Sequence, residues 1–440
     1  MLLKDLLDAD LLTQHIEHGL VSVRRHPTLP LRIFNYTPEA AFSGTWDGVT
    51  TLCRGLIVDE DGVVVSRCMP KFFNLGQAST IIGTKADPRE VNENVNVDAG
   101  YILDCVREWG SEMTITRKMD GQCGILFNYG GQWGISTRGS FESDGAKFAT
   151  EKWQKFVKYG ATEFVPKGWT LVFEVIDKTL RIVVPYDWSG LCLLTAVNNK
   201  TGEEMSYEQL RQVWLDINQY SKTLDADGNS VPGKPWCRLV EKFDISIQQA
   251  KDDPSMEEEG YVISVNRQGR TAVKSKVKLA EYCRLHKLLT GVTPQMVWAE
   301  LAKPMNPWLS VDSRYDRKTG ETTHSMQVPK EFGDWVRQWQ RGLTQAFHEK
   351  LMKAAQAQKL LEHHLEHPLD KPLGLVIMDN DALKNEAEYR EWLAYMVGKE
   401  TAGFAMQLFR GRIVEAYESI WESVRPFGKD DRFYVEGKGE

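Results

Sequence analysis

The spacing of apolar residues changes character near residue 280, and that change sets the fold class. Before it, Val, Ile, Leu and aromatic residues come in short runs separated by turn signals. Leu31–Tyr36 reads as a strand. Leu56–Val65 reads as a hairpin about Asp61-Gly62, Gly124–Tyr129 with Gln132–Thr137 as a second about Gly130-Gly131, and Tyr261–Asn266 with Arg270–Lys278 as a third about Gln268-Gly269. Thr170–Ile176, Arg181–Tyr186 and Leu191–Val197 are further strand candidates, and residues 85–100 and 223–235 read as loops. Helices are expected over 1–20, 144–160 and Ser206–Ile217, the last with Ser206 as N-cap. Beyond it, Glu281–Leu289, Pro294–Ala302, Trp335–His364, Asp381–Val397 and Thr401–Val424 carry helical spacing, with Trp335, Trp339, Leu343 and Phe347 on one face as core. The expectation is an α+β fold: antiparallel sheets with flanking helices over residues 1–285, then an all-α domain over 286–440.

No apolar run approaches the roughly 20 residues that span a bilayer. The N-terminal Met1-Leu-Leu-Lys-Asp-Leu-Leu-Asp reads as the start of an amphipathic helix, not a signal peptide. The seven cysteines are widely spaced, with no Cys-x-x-Cys, which fits free buried thiols in a reducing, cytoplasmic compartment. A net charge of −7 argues against a general coating of polyanion and leaves room for a local basic groove.

One stretch is abruptly basic. From Arg267 to Lys287 there are seven Lys or Arg and one Glu. Within it Lys274, Lys276 and Lys278 alternate with smaller residues, so a strand would set all three on one face. Like charges that close repel unless an anion lies among them. A solvated edge strand guarded by lysines is the plainer reading, a phosphate-binding strand the sharper one. Thr114–Lys118 is β-prone and ends in Lys118-Met119-Asp120-Gly121, which alone reads as a surface lysine before a hairpin turn. Glu174 sits inside an apolar strand pattern, where a carboxylate needs a cation, a metal or a hydroxyl partner. His363, His364 and His367 precede Pro368 without a companion set of ligands and read as an exposed helix end, not a metal site.

Taken in order, Lys118-Met-Asp-Gly, Phe173-Glu174, Glu259-Gly260-Tyr261-Val262 and Lys276-Val-Lys278 resemble the sequential motifs of the covalent nucleotidyltransferases: polynucleotide ligases and mRNA capping enzymes. Within that superfamily the chain resembles the RNA ligase 1 family of T-even bacteriophages. The flanking Arg32-Ile-Phe-Asn-Tyr36, Cys53-Arg54-Gly55, Lys71-Phe-Phe-Asn-Leu75, Arg181-Ile-Val-Val-Pro-Tyr186 and Tyr282-x-x-x-His286 carry that closer likeness, over about residues 30–290. Arg138-Gly139-Ser140 departs from the family's usual lysine there, keeping a cation with different geometry.

The resemblance implies an ATP-dependent RNA ligase joining 5′-phosphate and 3′-hydroxyl ends through a lysyl-AMP, with Mg²⁺ or Mn²⁺. Lys118 would be the nucleophile, assisted by Lys276 and Lys278. Tyr36, Arg54, Lys71, Phe73, Asp120, Gly121, Arg138, Glu174, Glu259, Gly260 and Tyr282 would form the nucleotide site, with Glu174 and Glu259 as metal candidates. Implied partners are single-stranded or broken RNA, a tRNA anticodon loop among the candidates, and a polynucleotide kinase/phosphatase. The location would be host cytoplasm if the chain is phage-encoded. A DNA ligase, a capping guanylyltransferase and an inactive RNA-binding homologue stand as alternatives. An ordinary lysine, with pKa about 10.4, is neutral about one time in a thousand at pH 7.4, so Lys276 and Lys278 are expected to depress the pKa of Lys118.

Overall fold

The computed structural model describes residues 1–82, 91–158, 160–219, 222–224, 230–232, 235–255, 257–267, 270–301, 313–315, 322–324, 330–366 and 386–426. The chain divides into a first unit, Met1–Lys287, and a second, Leu288–Val435.

In the first unit, strands Val21–Arg25, Leu31–Tyr36, Arg54–Asp59 and Val64–Ser66 make an antiparallel sheet in chain order. Its alternating residues serve two cores. Val21, Phe34, Leu56 and Val58 pack on Leu7 and Leu12 of the N-terminal segment, whose helices are Leu3–Leu6 and Ala9–Glu17 in place of one helix. Leu31, Ile33 and Ile57 face the other way, onto Ile125, Phe127 and Val172 of a second sheet. That sheet runs Gln132–Ser136, Gln122–Tyr129, Trp169–Ile176, Gly190–Asn198 and Cys237–Leu239, the last strand joining parallel. Its far face, with Leu126, Leu171, Phe173 and Val175, is covered by helices Asp144–Val157 and Tyr207–Asn218. Ala146, Ala149, Trp153 and Phe156 recur at helical spacing on the first of these and are all buried. Ser206 caps the second, in a capping box with Gln209.

The third sheet carries the lysines. Its order is Lys242–Phe243, Met113–Lys118, Gly260–Arg267, Arg270–Lys278 and Phe73–Asn74, with the last strand parallel to its neighbour. Asp120-Gly121 therefore turns no hairpin. Met113–Lys118 pairs with Gly260–Arg267, while Gln122–Tyr129, directly after the turn, belongs to the second sheet. The chain crosses from one sheet to the other immediately after Lys118.

Other local readings also give way. Arg181–Tyr186 is not a strand. After the 3₁₀ turn Lys178–Leu180 the N–H groups of Val183 and Val184 donate to the Asp120 carboxylate, both at 2.8 Å, instead of to a ladder. In the expected loop 85–100, Val91–Asn96 pairs with Ala78–Ile82, and Asp98 caps a helix over Ala99–Trp109; residues 83–90 lie outside the described residues. Lys222–Leu224 and Ser230–Pro232 likewise pair where a loop was expected.

The second unit is built on the 37-residue helix Lys330–Glu366, with Pro294–Leu301, Glu386–Val397, Lys399–Phe409 and Ile413–Ser423. The expected single helix over Thr401–Val424 is two, broken at Gly411 with φ +72°. Ala357, Leu361, Trp392, Leu393, Ala402, Ala405 and Met406 form one core, and Ala354, Phe404 and Ile420 another, with Phe347 against it. Ser313–Tyr315 and Thr322–His324 add a two-strand ladder to this otherwise helical unit. His364 stacks on Trp392 at 4.3 Å; His367 and Pro368 lie outside the described residues. Among the described residues no helix is long and apolar enough to cross a membrane, and every cysteine is free.

Candidate active site

The register of the third sheet explains how its charges meet. Lys118, Gly260 and Lys278 lie side by side across three strands, and Thr116, Val262 and Lys276 make the next row of that face. Glu259 precedes Gly260 and is 3% exposed. One of its oxygens takes the Lys118 ammonium at 2.6 Å and the other takes that of Lys278 at 3.0 Å. Gly260 is required between them. Its φ of +144° is a backbone conformation that side chains rarely adopt, and an added Cβ would lie 2.0 Å from the Val277 carbonyl oxygen. Gly260→Ala is expected to lower unfolding free energy by at least about 2 kcal/mol, measured by denaturant titration.

The three alternating lysines have three different fates. Lys274 pairs with the buried Glu204, itself accepting from Thr195, and Lys278 shares Glu259. Lys276 has no carboxylate at salt-bridge distance among the described residues. Burial, with the cations of Lys71, Lys118 and Lys278, pulls its pKa down to about 6 against the pull of Glu259. Lys118 goes the other way. Burial disfavours its charge, but Glu259 and Glu174 outweigh burial and hold its pKa above the ordinary lysine value. The expected depression thus falls on Lys276, because Glu259 lies against Lys118.

Glu174 stands across from Lys118, on the second sheet. It accepts from the Gly121 N–H at 3.1 Å, and burial pushes its pKa up to about 8 despite the attraction of Lys118. Gly121 has no room to grow, since a Cβ there would meet the Val175 carbonyl at 2.5 Å. Asp120 is a brace. Besides Val183 and Val184 it accepts the Tyr282 hydroxyl at 2.7 Å, and its own N–H donates to the Tyr186 hydroxyl at 2.8 Å. These bonds fix the crossing that follows Lys118 and tie Tyr282, at the start of helix Ala280–Gly291, to it.

A second cluster of cations is caged by rings. The Lys71 ammonium lies 5.2, 5.1 and 5.7 Å from the ring centres of Tyr36, Trp46 and Phe73. Arg138 donates to the Tyr36 hydroxyl, and the phenol's pKa is lowered because Arg138, Lys71 and Arg54 outweigh its burial. Phe72 is ringed by Arg54, Lys274 and Lys276 at 5.7, 5.7 and 5.9 Å. Arg54 also donates to the Cys68 sulfur at 3.0 Å, and Cys68 Sγ lies 3.7 Å from Cys123 Sγ. Sequence reasoning picked out Tyr36, Lys71 and Phe73 but missed Trp46, Phe72, Cys68 and Glu204. Trp46 carries no signal, lying alone between helices Pro38–Ser43 and Gly48–Leu52.

The residues suited to a divalent cation are Glu174 and Glu259. Among the described residues no three His, Cys, Asp or Glu side chains group as a metal cage. One or two carboxylates are what Mg²⁺ ordinarily takes from protein, the rest of its shell coming from phosphate and water, so this donor set fits such an ion beside a nucleotide.

A cationic, partly buried lysine thus stands beside two acidic side chains, with a second, ring-caged cation nearby. The family model described as RNA ligase matches residues 52–282, and the chain belongs to that family. It is similar to an RNA ligase of Rhodothermus phage RM378, 24% identical over 281 residues covering 55% of this chain and 61% of that protein. It is also similar to a putative bifunctional polynucleotide kinase/RNA ligase of Autographa californica nuclear polyhedrosis virus, 24% identical over 286 residues, 61% of this chain and 35% of that one. The chain thus spans under two thirds of either relative. Among solved structures, an archaeal ATP-dependent RNA ligase aligns with a TM-score of 0.38 and 13% identity over 63% of this chain and 62% of that chain.

Proposed function

We propose that this protein is an ATP-dependent RNA ligase that joins 5′-phosphate and 3′-hydroxyl ends. The observation that carries the reading is Lys118 at a strand end, bound to Glu259 and faced by Glu174, inside the segment that matches the RNA ligase family. In the first step the neutral Lys118 amine attacks the α-phosphorus of ATP. A P–N bond forms, the bond to the bridging oxygen breaks and pyrophosphate leaves; the resting ammonium gives up one proton before attack, to become the neutral amine, and the nitrogen gives a second to water once the P–N bond has formed. An oxygen of the RNA 5′-phosphate then attacks the same phosphorus and releases Lys118. Finally the 3′-hydroxyl of the other strand attacks the 5′-phosphorus and AMP departs.

Lys276 and Lys278 face the charge that builds on the α-phosphate. Arg54, Lys71 and Arg138 hold the other phosphates, Tyr36 and Phe73 line the nucleotide, and Glu174 takes the ribose or, with Glu259, a metal. Mg²⁺ or Mn²⁺, when bound, neutralises triphosphate charge. Asp120 and Tyr282 position Lys118 without touching substrate, and Gly121 and Gly260 leave space for it.

The substrate is broken single-stranded RNA, a cleaved tRNA anticodon loop being one such end pair. The kinase for which the baculovirus relative is named supports a polynucleotide kinase/phosphatase partner that prepares the ends. The helical unit selects the RNA or that partner. Truncation after Gly291 should therefore leave labelling of Lys118 by ATP within about threefold of the full chain while changing which RNA is joined; loss of labelling would refute this division. The reading as a whole is tested with α-labelled ATP, then 5′-phosphorylated RNA. Label should move from protein to RNA and leave as AMP with a joined product. Labelling by GTP alone would indicate a capping enzyme, and joining of nicked DNA but not RNA a DNA ligase.

A further inference from the structure

The hairpin of Val21–Arg25 and Leu31–Tyr36 carries a feature that the ATP site does not use. Arg25 and Arg32 stand directly opposite each other in its ladder. Like charges in that relation repel unless an anion lies between them. Neither guanidinium forms an ion pair with any described residue. Arg32 is further short of partners: its Nε is buried without a hydrogen bond, and its Nη2 reaches only the Asp59 carbonyl, at 3.5 Å. Both arginines, with His26, Leu29 and one carboxylate, Glu60, line a cavity of about 530 Å³ at the hairpin tip. That volume lies within the usual range of a small-ligand cleft, roughly 300–1,000 Å³.

The cavity's wall is fixed in advance. The N–H groups of Thr28 and Leu29 donate to His26 Nδ1 at 3.2 and 3.0 Å, which closes the turn. The His26 ring packs edge-on against Phe141 at 4.8 Å and Phe127 at 5.9 Å. Phe141 directly follows Arg138-Gly139-Ser140, whose Arg138 donates to Tyr36. One short loop thus packs on His26 of the cavity wall through Phe141 and reaches Tyr36 of the nucleotide cluster through Arg138. Arg32 precedes Tyr36 by four residues on one strand, about 14 Å at strand rise, so the cavity is beyond the reach of the same triphosphate but suits the next stretch of a bound strand.

We propose that Arg25 and Arg32 bind a phosphodiester of the RNA substrate in this cavity. The proposal rests on the ligase reading for the identity of the polyanion.

The test uses the full chain, a fluorescent 5′-phosphorylated single-stranded RNA, and the variants Arg25→Glu and Arg25→Ala/Arg32→Ala. Arg25 is exposed, so Arg25→Glu should keep the fold even if the double variant does not. RNA affinity by anisotropy should fall at least about tenfold in either variant. The slope of log affinity against log salt should shrink by about one for each phosphate no longer neutralised. Labelling by α-labelled ATP should match the unmutated protein. Unchanged RNA affinity and salt slope in Arg25→Glu would overturn the proposal. Failure of the unmutated protein to take label would instead overturn the ligase reading, and the RNA-binding arm does not depend on it.

Discussion

Lys118→Ala should take no label from α-labelled ATP under conditions where the unmutated protein becomes labelled one-to-one. No other amine of the site can replace it. Lys278 is held by Glu259, Lys274 by Glu204, and Lys276 stands on the next row of that face, beside Val262 and not beside position 118. The alanine variant also leaves the buried Glu259 with Lys278 as its one ion-pair partner among the described residues, at a cost of about 1–3 kcal/mol, so loss of label alone does not separate a lost nucleophile from a damaged site. Lys118→Arg removes that ambiguity. It keeps a cation for Glu259 but cannot be deprotonated, so it should remain folded, bind ATP and stay unlabelled. Mass spectrometry of the intact protein reads all three cases, with a gain of one AMP in the unmutated chain only. Label on either variant would place the nucleophile elsewhere.

Much of this site was legible in the sequence, and what was not has a common cause. Lys118, Glu174, Glu259, Lys276 and Lys278 and the alternation of the lysines are readable as sequence patterns; the register of the third sheet sets Lys118, Lys276 and Lys278 on one face, while Glu174 reaches them from the second sheet. The hairpin about Asp61-Gly62 followed from turn chemistry and a period of two. Asp120-Gly121 shows the same dipeptide signal without the hairpin, because a turn residue does not specify which sheet the next strand joins. Arg181–Tyr186 has β-branched content, yet a carboxylate more than sixty positions away in sequence claims its N–H groups. The sign of the Lys118 shift failed for the same reason. The alternating lysines predicted repulsion, and only the three-strand register shows that Glu259 pairs with both Lys118 and Lys278 and leaves Lys276 to carry the crowding.

That asymmetry makes Lys276→Met a variant with opposite effects on stability and catalysis. The folded-state pKa of Lys276, about 6, lies far below its unfolded value, so between about pH 6 and pH 10 the unfolded chain binds the extra proton. The wild-type protein therefore gains stability from this residue as pH rises through that window. Methionine, which has no such proton, should stabilise the fold by roughly 1–3 kcal/mol near pH 7, and its advantage should shrink toward pH 9. Catalysis should move the other way. The reactive form needs Lys118 neutral and Lys276 charged, the reverse of the resting state. A proton shifted between them leaves the total unchanged, so these two lysines should add no slope to kcat/KM for labelling from about pH 6.5 to 9 in the wild type, where Glu174, with its pKa pushed up to about 8, is the neighbouring group that titrates. Without Lys276 the reaction depends only on deprotonation of Lys118. The variant's rate should be about 10²–10³-fold lower at pH 7 and should rise about tenfold per pH unit. Urea titrations and single-turnover labelling across this range measure both effects on the same preparations. A variant that is slower yet keeps the wild-type pH profile would show that Lys276 holds phosphate without this exchange of protons.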